Sequence, residues 1–214
     1  MKIALINENS QASKNAIIYS SLVKYADKYG HEVVNYGMYN NEQNHQLTYV
    51  QVGLLASILL TSGAADFIVT GCGTGQGAML ACNSFPNVIC GHVANPLDGY
   101  LFGQVNDGNC IAIPFAQSFG WGGELNLEYI FDKTFSEKFG GGYPKERVIP
   151  EQRNKKILDG IKGVTYKSLI DILKEIDQEF LLATINYPEF IELFFADCKN
   201  QEIADYLKKV LNLK

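Results

Sequence analysis

The sequence predicts an α/β fold, a doubly wound five-stranded parallel sheet with a C-terminal helical extension, and three observations carry that expectation. Short apolar runs alternate with stretches of helical period over the first 138 residues. Glycines stop the first two helical stretches at Gly30 and Gly63, and after Gly140-Gly141-Gly142 only helical periodicity remains. Strands that alternate with helices form a parallel sheet covered on both faces by right-handed crossovers. Ligands of such sheets bind beyond the carboxyl ends of the strands.

The elements follow in order. KIALI at 2–6 is a first strand, and 13–28 places Ile17, Ile18, Leu22 and Tyr25 at helical spacing. HEVVNY at 31–36 is strand-like, and 47–62 is apolar at helical period. A third strand, 66–70, runs into the glycine-rich loop GCGTGQGA at 71–78, with a helix from there to about Asn83. Strand four is expected at 87–92, a helix at 96–105, strand five at 109–113 and a helix near 124–138. Tyr143 to Pro150 reads as extended. The chain divides into an α/β domain over 1–150 and a helical extension over 151–214, without internal repeats or low-complexity segments.

With 214 residues, 47% hydrophobic and 19% charged, the chain can bury one substantial core. A formal net charge of −5, with no arginine-rich stripe, disfavours nucleic acid and anionic membrane as partners. The longest apolar stretch, Val52 to Leu60, is too short to span a bilayer, and the apolar run before Asn7 and Glu8 is too short for a signal-peptide core. A cytoplasmic location is expected. Five cysteines (Cys72, Cys82, Cys90, Cys110, Cys198) show neither CxxC nor a histidine at zinc spacing, so reduced thiols are expected.

The loop at 71–78 carries the chemistry. Gly71, Gly73, Thr74, Gly75 and Gly77 at a strand-to-helix junction let backbone N–H groups converge at a helix N-terminus, a nest for an anion. The same donors favour a reactive thiolate at Cys72, against the alternative of an ordinary core cysteine. A Walker loop would end Gly-Lys-Ser/Thr, and this one ends Gly-Ala. A cysteine phosphatase would need arginine where Ala78 stands. Gly73 to Ala78 satisfies a loose dinucleotide pattern, but that fingerprint follows the first strand and has no use for a cysteine.

Cys72-Gly73-Thr74-Gly75, Gly77, Asn83, Phe85-Pro86, the Asn106-Asp107-x-Asn109 run and Gly141-Gly142 with Arg147-Val148 together resemble the type B ribose-5-phosphate isomerase and galactose-6-phosphate isomerase family. The resemblance covers about the first 150 residues. It implies a Rossmann-like sheet and an aldose–ketose isomerase acting through a cis-enediolate, with a cysteine thiolate carrying the proton and no metal or other cofactor. It also implies a homodimer whose active sites are completed across the subunit interface.

Departures from the family pattern bear on the substrate. Glu8-Asn9 stand where the family has Asp-His, Val105 replaces the ring-opening histidine, and Tyr143 and Pro144 replace an arginine and a histidine, leaving Arg147. An open-chain substrate needs no ring opening, and one arginine can hold a carboxylate bidentately. The chain thus resembles the longer branch of the family, the isomerases of 4-deoxy-L-threo-5-hexosulose uronate. In that reading Cys72 is the base, Thr74 with the Gly73 and Gly75 amides stabilises the enediolate, and Gly77 belongs to the anion loop. Glu8, Asn9 and Asn106 position hydroxyls and Arg147 holds the carboxylate.

Plainer roles stand beside these: Glu8 as a helix N-terminal charge, Asn106 as a turn former, Arg147 as a solvated residue. His92 is read as a satisfied core histidine, His31 and His45 as surface, and Trp121, Phe115 and Phe119 as packing residues. Arg153, Lys155 and Lys156 are read as a solvated face. The alternative functions are a phosphosugar isomerase acting on ribose 5-phosphate or galactose 6-phosphate, and a non-catalytic sugar- or anion-binding module.

Overall fold

In the computed structural model, which describes residues 1–213, the five expected strands form one all-parallel sheet in the order β2-β1-β3-β5-β4. The strands are β1 (Lys2–Asn7), β2 (Glu32–Asn35), β3 (Phe67–Cys72), β4 (Cys90–His92) and β5 (Cys110–Pro114). Helices α1 (Asn15–Lys28), α2 (Tyr49–Ser62), α3 (Gln76–Asn83), α4 (Pro96–Leu101) and α5 (Gly123–Phe135) connect or follow them. The rest is helical: α6 (Val148–Thr165), α7 (Leu169–Glu175), α8 (Gln178–Ile185), α9 (Pro188–Asp197) and α10 (Gln201–Val210).

Side chains alternate cleanly across the sheet, as a period of two requires. Ile3, Leu5, Phe67, Val69, Ile111 and Ile113 join Ile18, Leu22, Ile130 and Phe131 of α1 and α5 in one buried cluster. Ala4, Ile6, Ile68, Cys110 and Ala112 face the other way, onto α2 and α3. The second cluster continues through α2 to Leu173, Leu181, Ile185, Phe190, Phe194 and Leu207. Helix α2 is therefore held between the sheet and the C-terminal helices, which explains why its sequence is apolar nearly all round. A Thr48–Gln51 capping box opens this helix and Gly63, at φ +71°, closes it.

Helix α6 is the exception. None of its residues is buried, and Ile157, Ile161 and Val164 line up at i, i+4 and i+7 on an open face.

Several expected boundaries move. Strand β3 runs on through Cys72, so the cysteine ends the strand rather than opening the loop. Strand four shortens to Cys90–His92 because Asn87 takes a left-handed conformation, at φ +61°. The helix expected at 96–105 gives way after Leu101 to a π-helical turn, Phe102–Asn106. The 143–150 segment is not extended: Lys145–Arg147 forms a 3-10 turn that leads directly into α6. Pro150 sits in the first turn of that helix, where its missing N–H has no partner to lose. His45 is half-buried rather than superficial, its ring stacked on Tyr187 at 4.2 Å. His31 is half-buried as well, edge-on to Phe135.

A chain of amides fixes the end of β1. Asn15 Nδ2 donates to Asn7 Oδ1 at 3.1 Å, and Asn15 and Asn35 exchange bonds of 3.1 and 2.8 Å. Asn7 and Asn15 are buried, so each of these groups depends on the others for its partners. Asn15→Leu strands Asn7 Oδ1 and the Asn35 amide, and should cost about 1–3 kcal/mol. A fall in the urea midpoint with an unchanged m-value would verify this; an unchanged midpoint would refute it.

Candidate active site

Strand β1 leads into α1 on one face of the sheet, and β3, its neighbour, leads into α3 on the other. Adjacent strands whose helices leave to opposite sides open a crevice at their carboxyl ends, the switch point where such folds take ligands. Its walls are the Glu8 to Lys14 segment after β1 and the glycine-rich loop after β3.

Cys72 stands at the centre. It is buried at 9% exposure, and its Cα partner on β5 is Pro114. Its carbonyl accepts from Phe115 N at 3.0 Å, and the Gly73 carbonyl accepts from Ala116 N at 3.0 Å. These bonds zip the loop onto the segment after β5. The approach is close: a Cβ on Gly71 would lie 2.1 Å from the Ile113 carbonyl oxygen and 2.5 Å from the Phe115 ring. Only glycine fits there. Gly75, at φ +71°, would likewise drive a Cβ into the His92 ring.

His92 braces this loop. Its Nε2 lies 3.0 Å from the Thr74 carbonyl, which can only accept, so that nitrogen carries the proton. Among the described residues the N–H groups of Gly73, Thr74 and Gly75 have no hydrogen-bond partner. Three consecutive unused donors thus precede α3, next to the Cys72 thiol, the arrangement an anion nest would require. The Thr74 hydroxyl is exposed and accepts from Gln76 N at 3.4 Å. Gly77 packs against the Tyr49 ring, at the mouth of the crevice.

Across the crevice, Glu8 is 3% exposed and caps the 3-10 turn Asn9–Lys14. Its Oε2 accepts from Ser10 N at 2.9 Å, and its Oε1 accepts from the Ser10 hydroxyl. The carboxylate thus fills a capping role, with Ser10 on both its oxygens. Asn9, half-buried, is fixed through its backbone, donating to the Leu47 carbonyl at 2.7 Å.

Two residues of this turn escaped the sequence reading. Gln11 Nε2 lies 3.8 Å from where a Gly73 Cβ would stand, so it borders the nest directly. Lys14 Nζ donates to Gln11 Oε1 at 2.7 Å and to the Phe115 carbonyl, and sits 4.4 Å above the Phe119 ring. All of these partners are neutral. Burial pushes the Lys14 ammonium below the ordinary lysine range. No apolar period marks this 3-10 turn, so the sequence held no signal for either residue.

Asn106 and Arg147 lie elsewhere. Asn106 precedes β5, so it belongs to the amino-terminal edge of the sheet, whereas Cys72 pairs with the last residue of that strand. About 13 Å of strand rise separates the two edges. The 140–152 segment packs on the same edge, through Gly140 N to Gly103 O, Gly142 N to Gln104 O, and Gln152 to Asp107. Arg147, on this segment, is exposed and makes no ion pair or side-chain hydrogen bond among the described residues. Within one chain, Cys72 on one side and Asn106 and Arg147 on the other thus lie at opposite edges of the sheet. Trp121 is fully exposed, while Phe115 is buried against Gly71 and Phe119 lies under Lys14. Lys155 pairs with Asp159 along α6.

No helix among the described residues is long and apolar enough to cross a membrane. Gly71→Ala should push β3 away from β5, lowering stability by about 1–3 kcal/mol. A thermal melt at the wild-type midpoint would contradict this packing.

Comparison with known proteins places this geometry. The model of the ribose/galactose isomerase family matches residues 3–149, and a second model, described as ribose-5-phosphate isomerase, matches residues 164–210. The structure is similar to that of a 4-deoxy-L-threo-5-hexosulose-uronate ketol-isomerase complexed with a tartrate, at 64% identity and a TM-score of 0.97 over 100% of both chains. It is also similar to a ribose-5-phosphate isomerase from Vibrio parahaemolyticus, at 50% identity and a TM-score of 0.95 over 99% of each chain. The type B ribose 5-phosphate isomerase of Trypanosoma brucei shares the fold, at 19% identity and a TM-score of 0.60 over 75% of this chain and 97% of that one. The chain belongs to the ribose/galactose isomerase family.

Proposed function

We propose that this aldose–ketose isomerase acts on 4-deoxy-L-threo-5-hexosulose uronate, with Cys72 as the base. The observation that carries the substrate is the full-length similarity, C-terminal helices included, to a ketol-isomerase of that compound at 64% identity. The departures at Val105, Tyr143 and Pro144 support it, since they remove a ring-opening histidine and phosphate-gripping side chains while leaving Arg147 for a carboxylate.

The chemistry follows from the crevice. The Cys72 thiolate takes the proton from the hydroxyl-bearing C2, and the C1 carbonyl oxygen gains the negative charge as a cis-enediolate forms. The N–H groups of Gly73, Thr74 and Gly75 meet that oxyanion; fixed donors need no reorganisation as charge develops. The thiol then returns the proton to C1, the C2 hydroxyl proton passes to the C1 oxygen, and a C2 ketone remains. Thr74, Gln11, Glu8 and Asn9 orient the hydroxyls along the crevice wall. Lys14, with neutral partners only, offers a positive charge at this edge.

The remaining recognition comes from a second copy. Asn106 and Arg147 lie at the opposite edge from Cys72, so they reach a substrate in this crevice only from another chain. An interface fits the surface. The face of α6 formed by Ile157, Ile161 and Val164 is open, and Leu80 and Trp121 are exposed at the carboxyl edge. A symmetric dimer would bury both sets and complete two sites.

A phosphosugar is the second reading, favoured by the 50% similarity to a ribose-5-phosphate isomerase. Incubating the purified protein with the deoxyhexosulose uronate and with ribose 5-phosphate separates the two. We expect turnover of the uronate and little of the phosphate; the reverse would overturn the substrate assignment. Cys72→Ala should lower kcat about 10²- to 10⁴-fold with little change in KM. Retained turnover would remove Cys72 from the mechanism.

A further inference from the structure

Three thiols that are far apart in sequence meet in the core, away from the crevice. Cys82 lies on α3, Cys90 opens β4 and Cys110 opens β5, and their sulfurs are all within 4.8 Å of one another. We propose that this cluster is a binding site for a soft monovalent metal ion, copper(I), held by three thiolates.

The geometry is the first support. Metal–sulfur bonds of about 2.3 Å in a trigonal plane set sulfurs about 4.0 Å apart, within the span these atoms already occupy. The scaffold is rigid. Cys90 and Cys110 are Cα partners in neighbouring parallel strands, so their side chains leave the same face of the sheet. The Asn83 side chain clamps Cys90 to α3, donating to its carbonyl at 2.8 Å and accepting from its N–H at 3.0 Å. Ligands held this way lose little freedom on binding.

The donor set selects the ion. Among the described residues no histidine or carboxylate joins the three thiols. Zinc favours four ligands, whereas copper(I) accepts an all-thiolate shell. Charge is partly offset: Lys162 of α6 donates Nζ to the Val88 carbonyl, close enough for its ammonium and the thiols to act on each other. A cleft of about 740 Å³ beside α6 is lined by Lys162 and by Ile89 and Asn109, the chain neighbours of Cys90 and Cys110, and is the side from which an ion would approach. On binding, each ligating thiol gives its proton to solvent as its sulfur–copper bond forms, and the copper stays monovalent.

The test uses the full-length, reduced, metal-free protein, titrated without oxygen with copper(I) held by bicinchoninate as competitor. We expect uptake of one copper per chain and, by X-ray absorption, a shell of three sulfurs at about 2.3 Å. Cys82→Ala and Cys110→Ala should each abolish uptake against the competitor, and Cys198→Ala should leave it unchanged. No stoichiometric uptake, a shell containing nitrogen or oxygen, a preference for zinc(II), or uptake that survives both core substitutions would overturn the site. If those variants fail to fold, the absorption spectrum of the unmutated protein decides on its own.

Discussion

A parallel sheet has two unlike ends, and every strand of this one points the same way. Each residue that closes a strand lies at one edge and each residue that opens a strand at the other, with a strand's length between. Cys72 closes β3, while Asn106 precedes β5 and the segment carrying Arg147 packs on that same edge. No loop adjustment within one chain brings them together. The proposed division of the active site into halves follows from that topology, and under the proposal the association of two chains is part of the chemistry.

At the carboxyl edge, small residues do the work that larger ones would block. Gly71 lets β3 lie against the Ile113 carbonyl and the Phe115 ring, and that approach sets the direction in which Cys72 leaves the strand. Beyond it, His92 holds the Thr74 carbonyl, and among the described residues the amides of Gly73, Thr74 and Gly75 have no hydrogen-bond partner. Electrostatics at this edge come from backbone donors, the buried Glu8 carboxylate and one partly buried lysine. The family's usual side-chain cations are thinned to Arg147 at the far edge. Such a distribution suits a singly charged carboxylate better than a phosphate dianion.

Much of the fold was legible in the sequence because period and punctuation agreed. Gly30 and Gly63 both take positive φ where the helical pattern stops, and the alternation in KIAL and in Phe67 to Val69 is that of the two buried faces. One misreading turns on a proline. Tyr143 to Pro150 reads as extended because two prolines interrupt it, yet one of them lies in the first turn of a helix, where proline is tolerated. Of the candidate site, the glycine-rich turn after β3 was legible in its glycines; Glu8 was read as a hydroxyl-positioning residue or a helix N-terminal charge, and the sequence did not reveal that Ser10 takes both its oxygens. Lys14 and Gln11 were not legible, because their position depends on a 3-10 turn that no apolar period marks. The cysteine cluster was invisible for a similar reason: strand register and a helix crossing bring Cys82, Cys90 and Cys110 together, and no local spacing encodes that.

The central claim is that a working site draws Cys72 from one chain and Arg147 from another. Cys72→Ala and Arg147→Ala chains, each nearly inactive alone, can be unfolded together, refolded as a mixture and assayed. Random pairing leaves one intact site in four, so the account predicts recovery of about a quarter of the wild-type rate. Activity no higher than the sum of the two separate variants, in a mixture shown to contain mixed dimers, would contradict it.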